Sequence, residues 1–412
     1  MGMSEQKVCI ETSGKILQSP CGPIIHGLED VLVKTTSITD IDGDRGILWI
    51  RGYRVEELAA HGSYEEVAYL ILRGRLPNRR ELQEFSERLK ASRELSPAAV
   101  EVLRSLAKAH PMFALEAAVA AEGAFDEDNL KLAEALRAGR YKEEEKALAV
   151  KVAEKLVAKI PTMIAYHYRF SRGLELVRPR HDLSHAANFL YMMFGREPDP
   201  LAVRGIDLYL ILHSDHEVPA STFTALVVAS TLSDMYSAVA AAVGALKGPL
   251  HGGANEAAVK SYLQIGDPSK AKEVVEAATK PGGPKLMGVG HRVYKAYDPR
   301  AKIFREFSQE YVKKFGDPQK LYAIAEAIER EVLSSPYFQQ RRLYPNVDFW
   351  SGIAFYYMGV PYEYFTPIFA ASRVVGWVAH ILEYWENNRI FRPRACYMGP
   401  HDVPYVPIDQ RS

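Results

Sequence analysis

Little in this sequence points away from water. No stretch reaches 18 uninterrupted apolar residues, so no spanning helix is expected. The longest apolar run, over 220–246, is interrupted by Asp234 and several hydroxyls. The opening MGMSEQKVCIETSGK is polar and lacks the apolar core of a signal peptide. It begins Met-Gly, but Gln6 stands where a myristoylation signal needs Ser or Thr. These absences predict a cytoplasmic protein with no membrane partner. Cysteine is scarce: Cys9, Cys21 and Cys396 follow no metal-ligand spacing. An excess of either charge is missing too, with Lys+Arg at 51 and Asp+Glu at 51. That argues against a general nucleic-acid binder but leaves room for a local basic pocket holding a small anion. Asn and Gln together number only 16, and a shortage of these heat-labile residues is one mark of thermophile proteins. Internal repeats, low-complexity stretches and the strand–helix alternation of a Rossmann fold are also absent.

What is present is the ordinary mixture of a globular chain: 412 residues, 48% hydrophobic and 25% charged. Such a length allows two or three domains, or one large one, and a core that needs no staples. The one clear strand signal lies in 32–53. There Ile38 and Ile41 lead through Asp42-Gly43 to Ile47, Leu48, Trp49 and Ile50, a small hairpin around a Gly-rich turn. Almost everything after it reads as helix. Ser96-Pro97 is a cap with a first-turn proline, followed by Val100, Leu103 and Leu106 on one face. Residues 142–160 place Leu148, Val152 and Leu156 at helical spacing and are expected to stop at Pro161. The 220–246 segment reads as helix that is apolar nearly all round, suited to a core or an oligomer interface. Residues 323–333 and 368–385 are helical as well.

Chemistry concentrates in four polar segments. They are His213-Ser214-Asp215-His216-Glu217, the run 248–256 around His251-Gly252-Gly253, the run 288–300 from Gly288-Val289-Gly290-His291 to Asp298-Pro299-Arg300, and Pro345-Asn346-Val347-Asp348-Phe349-Trp350. Each has a plain structural reading. Single histidines are most often surface or satisfied core residues, the glycines can be turn residues, and Asp348 could be a helix cap. His213 and His216, three apart, could share a helix face as metal ligands, which would make a metal-dependent hydrolase. No third ligand is convincingly spaced, and a zinc site wants three or four.

Taken together, the order and wording of these segments resemble the citrate synthase family. The resemblance also takes in Gly27 to Val31, Ile41-Asp42-Gly43, Arg51-Gly52-Tyr53, Gly74-Arg75-Leu76-Pro77 and Arg392-Pro393-Arg394, so that it spans about 27–394. It implies a mainly α fold with a large and a smaller helical domain and a small N-terminal β-hairpin. The small domain should be 253–362, with 1–252 and 363–412 forming the large domain and a C-terminal arm. It also implies a homodimer that condenses acetyl-CoA with oxaloacetate and hydrolyses the citryl thioester, using no metal or redox cofactor. By the same resemblance Asp348 is the base, His251 the hydrogen-bond donor to the thioester oxygen, and His291 the group that polarises the ketone. His216, Arg300, Arg373 and Arg392 would bind oxaloacetate, Arg392 from the other subunit, while His213 would be structural. The backbone of Leu286, Met287, Gly288, Val289 and Gly290 would meet the adenine of coenzyme A, with Arg292 and Lys295 at its phosphates. A relative that uses propionyl-CoA, 2-methylcitrate synthase, differs by one methylene, which motifs do not resolve. A non-catalytic relative would be expected to have lost one of His251, His291 or Asp348.

The cysteines carry a separate expectation. Hyperthermophile proteins are an exception to the rule that intracellular thiols stay reduced. Chain ends often lie close together, so a Cys21–Cys396 bond within one chain, leaving Cys9 free, is predicted. If the arm bearing Arg392 embraces the partner, two such closed chains would be linked as rings.

Overall fold

The computed structural model describes residues 16–411, so Cys9 lies outside the described residues. Among these, the residues before Thr36 and those from Ile390 onward form one compact unit, and Thr36–Arg389 forms the other.

In the first unit β1 (Ile16–Ser19) and β2 (Gly22–Ile25) pair antiparallel, with Ile16 opposite Ile25. The sequence reading missed this hairpin, because its strands are four residues long and none of their side chains is buried. Cys21 sits in its turn and is bonded to Cys396, with the two Cα atoms 5.7 Å apart. The predicted pairing is therefore present in the structure. The C-terminal part of this unit is nearly devoid of regular structure and leaves Tyr397, Met398, Val403, Tyr405 and Ile408 exposed.

The second unit opens with the expected hairpin. β3 (Thr39–Asp42) pairs with β4 (Ile47–Ile50), Thr39 opposite Ile50, and β5 (Tyr53–Arg54) adds a short third strand. Helices then follow almost without interruption. They are α1 (Val55–His61), α2 (Tyr64–Arg73), α3 (Arg79–Ala91), α4 (Pro97–Ser105), α5 (Pro111–Gly123), α6 (Glu127–Arg137), α7 (Glu143–Ser171), α8 (His185–Phe194) and α9 (Pro200–His213). The rest are α10 (Ala220–Ser230), α11 (Met235–Leu246), α12 (Ala254–Ile265), α13 (Ala271–Thr279), α14 (Pro299–Phe315), α15 (Leu321–Ser334), α16 (Pro336–Gln340), α17 (Val347–Tyr357) and α18 (Phe365–Trp385). Their starts obey simple capping chemistry. Ser63 and Asn78 form reciprocal capping boxes with Glu66 and Glu81, and Ser96 caps α4 ahead of Pro97.

Two expectations are corrected. Pro161 does not end its helix: α7 continues ten residues beyond it to Ser171. A proline inside a helix costs about 3 kcal/mol. Here that cost is outweighed by tertiary burial, since Ile160, Met163, Ile164 and Ala165 all lie in the core. The 220–246 segment is two helices rather than one. Leu232 takes φ 62, and Asp234 accepts from the Ser237 amide at 2.9 Å, starting α11 afresh.

The core gathers around α18, which packs against α7, α9 and α10. The segment Tyr362–Trp385 is long and apolar enough to cross a membrane, but 94% of its apolar window is buried inside the protein. It is the central core helix, and its one-sided polar groups, Arg373 and His380, are buried with it.

Candidate active site

Asp348 stands in the first turn of α17. Asn346, not Asp348, is the cap, its Oδ1 accepting from the Asp348 amide at 2.9 Å. Burial raises the Asp348 carboxyl to about 6, against the pull of Arg300 and with a further push from Asp298. This is a carboxylate with unusual affinity for a proton, as an enolising base requires.

Asp298 ties the start of α17 to that of α14. It caps α14, accepting from the Arg300 amide at 3.0 Å, and takes the Arg300 side chain bidentately, Nε at 3.0 Å and Nη2 at 2.8 Å. Its Oδ2 also accepts from the Val347 amide at 3.1 Å. Both members of the pair are buried. Burial works against the Asp298 charge, but Arg300 prevails and holds the carboxyl below its ordinary range. Arg300 is thus a fixed cation beside Asp348. From the sequence alone Asp298 has no assigned role. Its signal was Asp before Pro at a helix start.

His291 lies in the loop before α14. Its Nδ1 accepts from the backbone amides of Val293 at 3.0 Å and Tyr294 at 3.2 Å. Backbone N–H groups only donate, so Nδ1 carries no proton and the neutral ring holds it on Nε2. Burial, reinforced by Arg300, lowers the imidazole to about 4. At neutral pH His291 is a neutral donor through Nε2. His216 packs beside it, ring centroids 5.4 Å apart, and its Nε2 is 3.1 Å from the Tyr294 hydroxyl. Burial, then Arg300, keeps His216 neutral as well.

His251 sits in the tight turn between α11 and α12, where its amide donates to Gly248 O at 2.9 Å. Its Nε2 is 2.8 Å from the Ser221 hydroxyl, which receives the Trp377 indole N–H at 3.1 Å. With Trp377 donating, the serine proton can go to Nε2, which leaves the ring's own proton on Nδ1. Burial, then Arg373, lowers this imidazole to about 4. Nothing in the sequence singled out Ser221.

Arg373, on α18, donates through Nε to His213 O at 2.7 Å, and its guanidinium lies 4.9 Å from the centroid of Phe369. Burial lowers its pKa to about 10, so it stays charged at neutral pH. His213 has its Nδ1 3.1 Å from Tyr209 O and its ring stacked on Tyr209, in keeping with a structural role. Asp215 accepts from His380 at 3.0 Å and from Thr39, anchoring the 213–217 turn to α18 and β3.

The 286–290 loop runs beside the start of α17. Gly290 N donates to Tyr344 O, Asn346 N to Gly288 O and Asn346 Nδ2 to Gly290 O, each at 2.8 Å. Gly288 takes φ 74, and a Cβ there would lie 2.7 Å from Phe349 N. Leu286, Met287 and Val289 are half-buried, while Arg292 and Lys295 are exposed. Arg392 lies in the other unit, exposed, with Nη1 donating to its neighbour Pro393 O.

One unit therefore holds a proton-avid carboxylate, two neutral histidine donors and two buried arginines. Such a set can enolise a carbon acid and bind a small dianion. Among the described residues, no group of three or more His, Cys, Asp or Glu side chains is arranged to hold a metal ion.

A family model described as the citrate synthase C-terminal domain matches residues 27–394. The chain belongs to the citrate synthase family. Citrate synthase from Saccharolobus solfataricus is 43% identical over 390 residues, covering 94% of this chain and 99% of its own. The crystal structure of citrate synthase from Pyrobaculum aerophilum is 80% identical, covers 99% of this chain and 100% of that one, and has a TM-score of 0.97. Citrate synthase from the thermophilic archaeon Thermoplasma acidophilum, solved as a ternary complex with carboxymethyl coenzyme A and oxaloacetate, is 39% identical, covers 94% of this chain and 99% of that one, and has a TM-score of 0.85. The mainly α citrate synthase fold expected from the sequence is the fold observed.

Proposed function

We infer that this chain condenses acetyl-CoA with oxaloacetate and hydrolyses the resulting citryl-CoA to citrate and CoA. The observation that carries the chemistry is the raised carboxyl of Asp348 beside Arg300 and Arg373, the two arginines that also help keep His291 and His251 neutral. A methyl group next to a thioester is a very weak acid. Its proton moves to Asp348 only if the growing enolate oxygen meets a donor, and His251 supplies it through Nδ1. A neutral imidazole suits this role, because it donates without giving its proton away. His291 polarises the oxaloacetate ketone through Nε2 and then protonates the new alkoxide. Arg300 and Arg373 face the two carboxylates, assisted by His216, and their fork geometry meets a carboxylate bidentately.

The finer reading adds that 253–362 moves as a small domain against 1–252 and 363–412, closing over the substrates and excluding water before the enolate forms. Leu286 to Gly290 then offer backbone to the adenine, with Arg292 and Lys295 near the phosphates. The chain works as a homodimer, and the exposed apolar arm around Tyr397 and Tyr405 packs on the partner while Arg392 completes the partner's pocket. The shortage of Asn and Gln, the Cys21–Cys396 bond and the thermophilic relative support a thermophilic cytoplasmic enzyme.

The direct test compares the specificity constants for acetyl-CoA and propionyl-CoA with oxaloacetate present. Acetyl-CoA should lead, and a preference for propionyl-CoA would overturn the reading. The shared site is tested by mixing Arg392→Ala subunits with Asp348→Ala subunits. Mixed dimers should regain one intact site, and activity no higher than either parent's would refute the crossing arginine.

A further inference from the structure

We propose that Tyr294 is a positioning residue of the oxaloacetate pocket, its hydroxyl holding His216 while its amide and ring hold His291 and Arg300. The proposal rests on the oxaloacetate reading given above. Three independent contacts converge on this one residue, two through its side chain and one through its amide. Its hydroxyl is 3.1 Å from His216 Nε2. Its amide is one of the two donors that fix the His291 tautomer, at 3.2 Å. Its ring backs the Arg300 guanidinium, 5.6 Å from Cζ to centroid, and packs 4.8 Å from His291 and 5.4 Å from His216. Tyr294 is itself buried, 2% exposed.

A buried imidazole with a nitrogen lacking a partner is costly and free to turn. The Tyr294 hydroxyl removes that freedom at His216, and its bond decides which nitrogen of the neutral ring faces a ligand. Burial raises the phenol pKa, so the hydroxyl keeps its proton at any working pH. The ring of the same residue lies against the Arg300 guanidinium, whose Nε and Nη2 bond the carboxylate of Asp298. Arg300 is thereby held by two contacts, one of charge and one with a ring. A dianion entering the pocket then meets His216, His291 and Arg300 already aimed, and less ordering remains to be done on binding.

Tyr294→Phe removes the hydroxyl and keeps the ring. In the full chain it should raise both the KM and the equilibrium Kd for oxaloacetate about tenfold, the range of one lost buried hydrogen bond. The KM for acetyl-CoA should stay within about twofold, as expected of an interaction confined to the other substrate. Because the hydroxyl acts through His216, the Tyr294→Phe, His216→Asn double variant should bind oxaloacetate no more weakly than His216→Asn alone. Wild-type oxaloacetate affinity in Tyr294→Phe would overturn the proposal. So would additive losses in the double variant, equal rises in both KM values, or a Tyr294→Phe chain that simply fails to fold. If the unmodified protein itself binds no oxaloacetate, the failure lies with the pocket's reading rather than with Tyr294 alone, and the proposal falls with it.

Discussion

As the proposed base, Asp348 has to ionise in a place that favours the neutral acid, and that conflict has two measurable sides. Its folded value of about 6 lies above the ordinary 3.8, so its contribution to stability is present below the lower value and is lost as pH rises through the upper one. At neutral pH the buried charge costs on the order of 2–3 kcal/mol. Asp348→Asn should therefore raise the melting temperature at pH 7 and above, with a gain that shrinks below pH 6, and thermal melts across that range check it. The same variant should lose condensation activity by about 10²–10⁴-fold while still binding oxaloacetate. In the unmodified protein the rate should fall on acidification through about 6 as Asp348 takes up its proton. An acid limb centred near 4 would assign it to the histidines instead. At this scale much of the site was legible. His251, His291, Asp348 and Arg300 sit in distinctive local wording, and all four fall, with Arg373, in the larger unit. Ser221 and Tyr294 were not singled out, because a serine in an apolar helix and a tyrosine in a loop carry no signal until the fold shows what they touch.

Asp348, the proposed base, is only as well aimed as the start of α17, and that start is set by neighbouring backbone. Gly288 packs so closely that an added Cβ would lie 2.7 Å from both N and Cα of Phe349, at a φ of 74 that side chains resist. Gly288→Ala should push the first turn of α17 aside and cut kcat by about a hundredfold, the scale expected of a misplacement near 1 Å. Far-ultraviolet circular dichroism should keep its helical signal, which separates misplacement from unfolding. Gly43 plays a similar part in the β3–β4 turn, where a Cβ would run into Val293 O in the loop that follows His291. Elements were read well where local chemistry decides them, as at Ser96-Pro97 and in the β3–β4 hairpin. They were misread where tertiary burial decides them. Pro161 looked like a stop, yet the core on both sides of it keeps α7 intact. The 220–246 run looked like one helix, but Asp234 is worth more as a cap than as an interior residue.

In the whole molecule the two ends of the larger unit leave from adjacent places, since the Ser37 amide donates to Glu383 Oε1 at 2.8 Å near the end of α18. The segments beyond them meet in the Cys21–Cys396 bond, across a sequence separation of 375. The chain-entropy model assigns such a loop about 6 kcal/mol as an upper figure. Cys396→Ser should accordingly lower the melting temperature by several degrees, and reductant should do the same to the unmodified protein but not to the variant. If the arm embraces its partner as proposed, non-reducing denaturing electrophoresis should show a dimer that collapses to monomer on reduction. A compact monomer alone would rule out linked rings while leaving the bond itself intact. The bond also makes each chain a witness to its own history. In an unfolded chain two sulfurs this far apart in sequence seldom meet, because closing so long a loop is entropically costly. Folding has to bring them together before oxidation can join them. A closed bond thus marks a molecule that finished folding, and the closed fraction of a preparation sets a lower bound on the share that did.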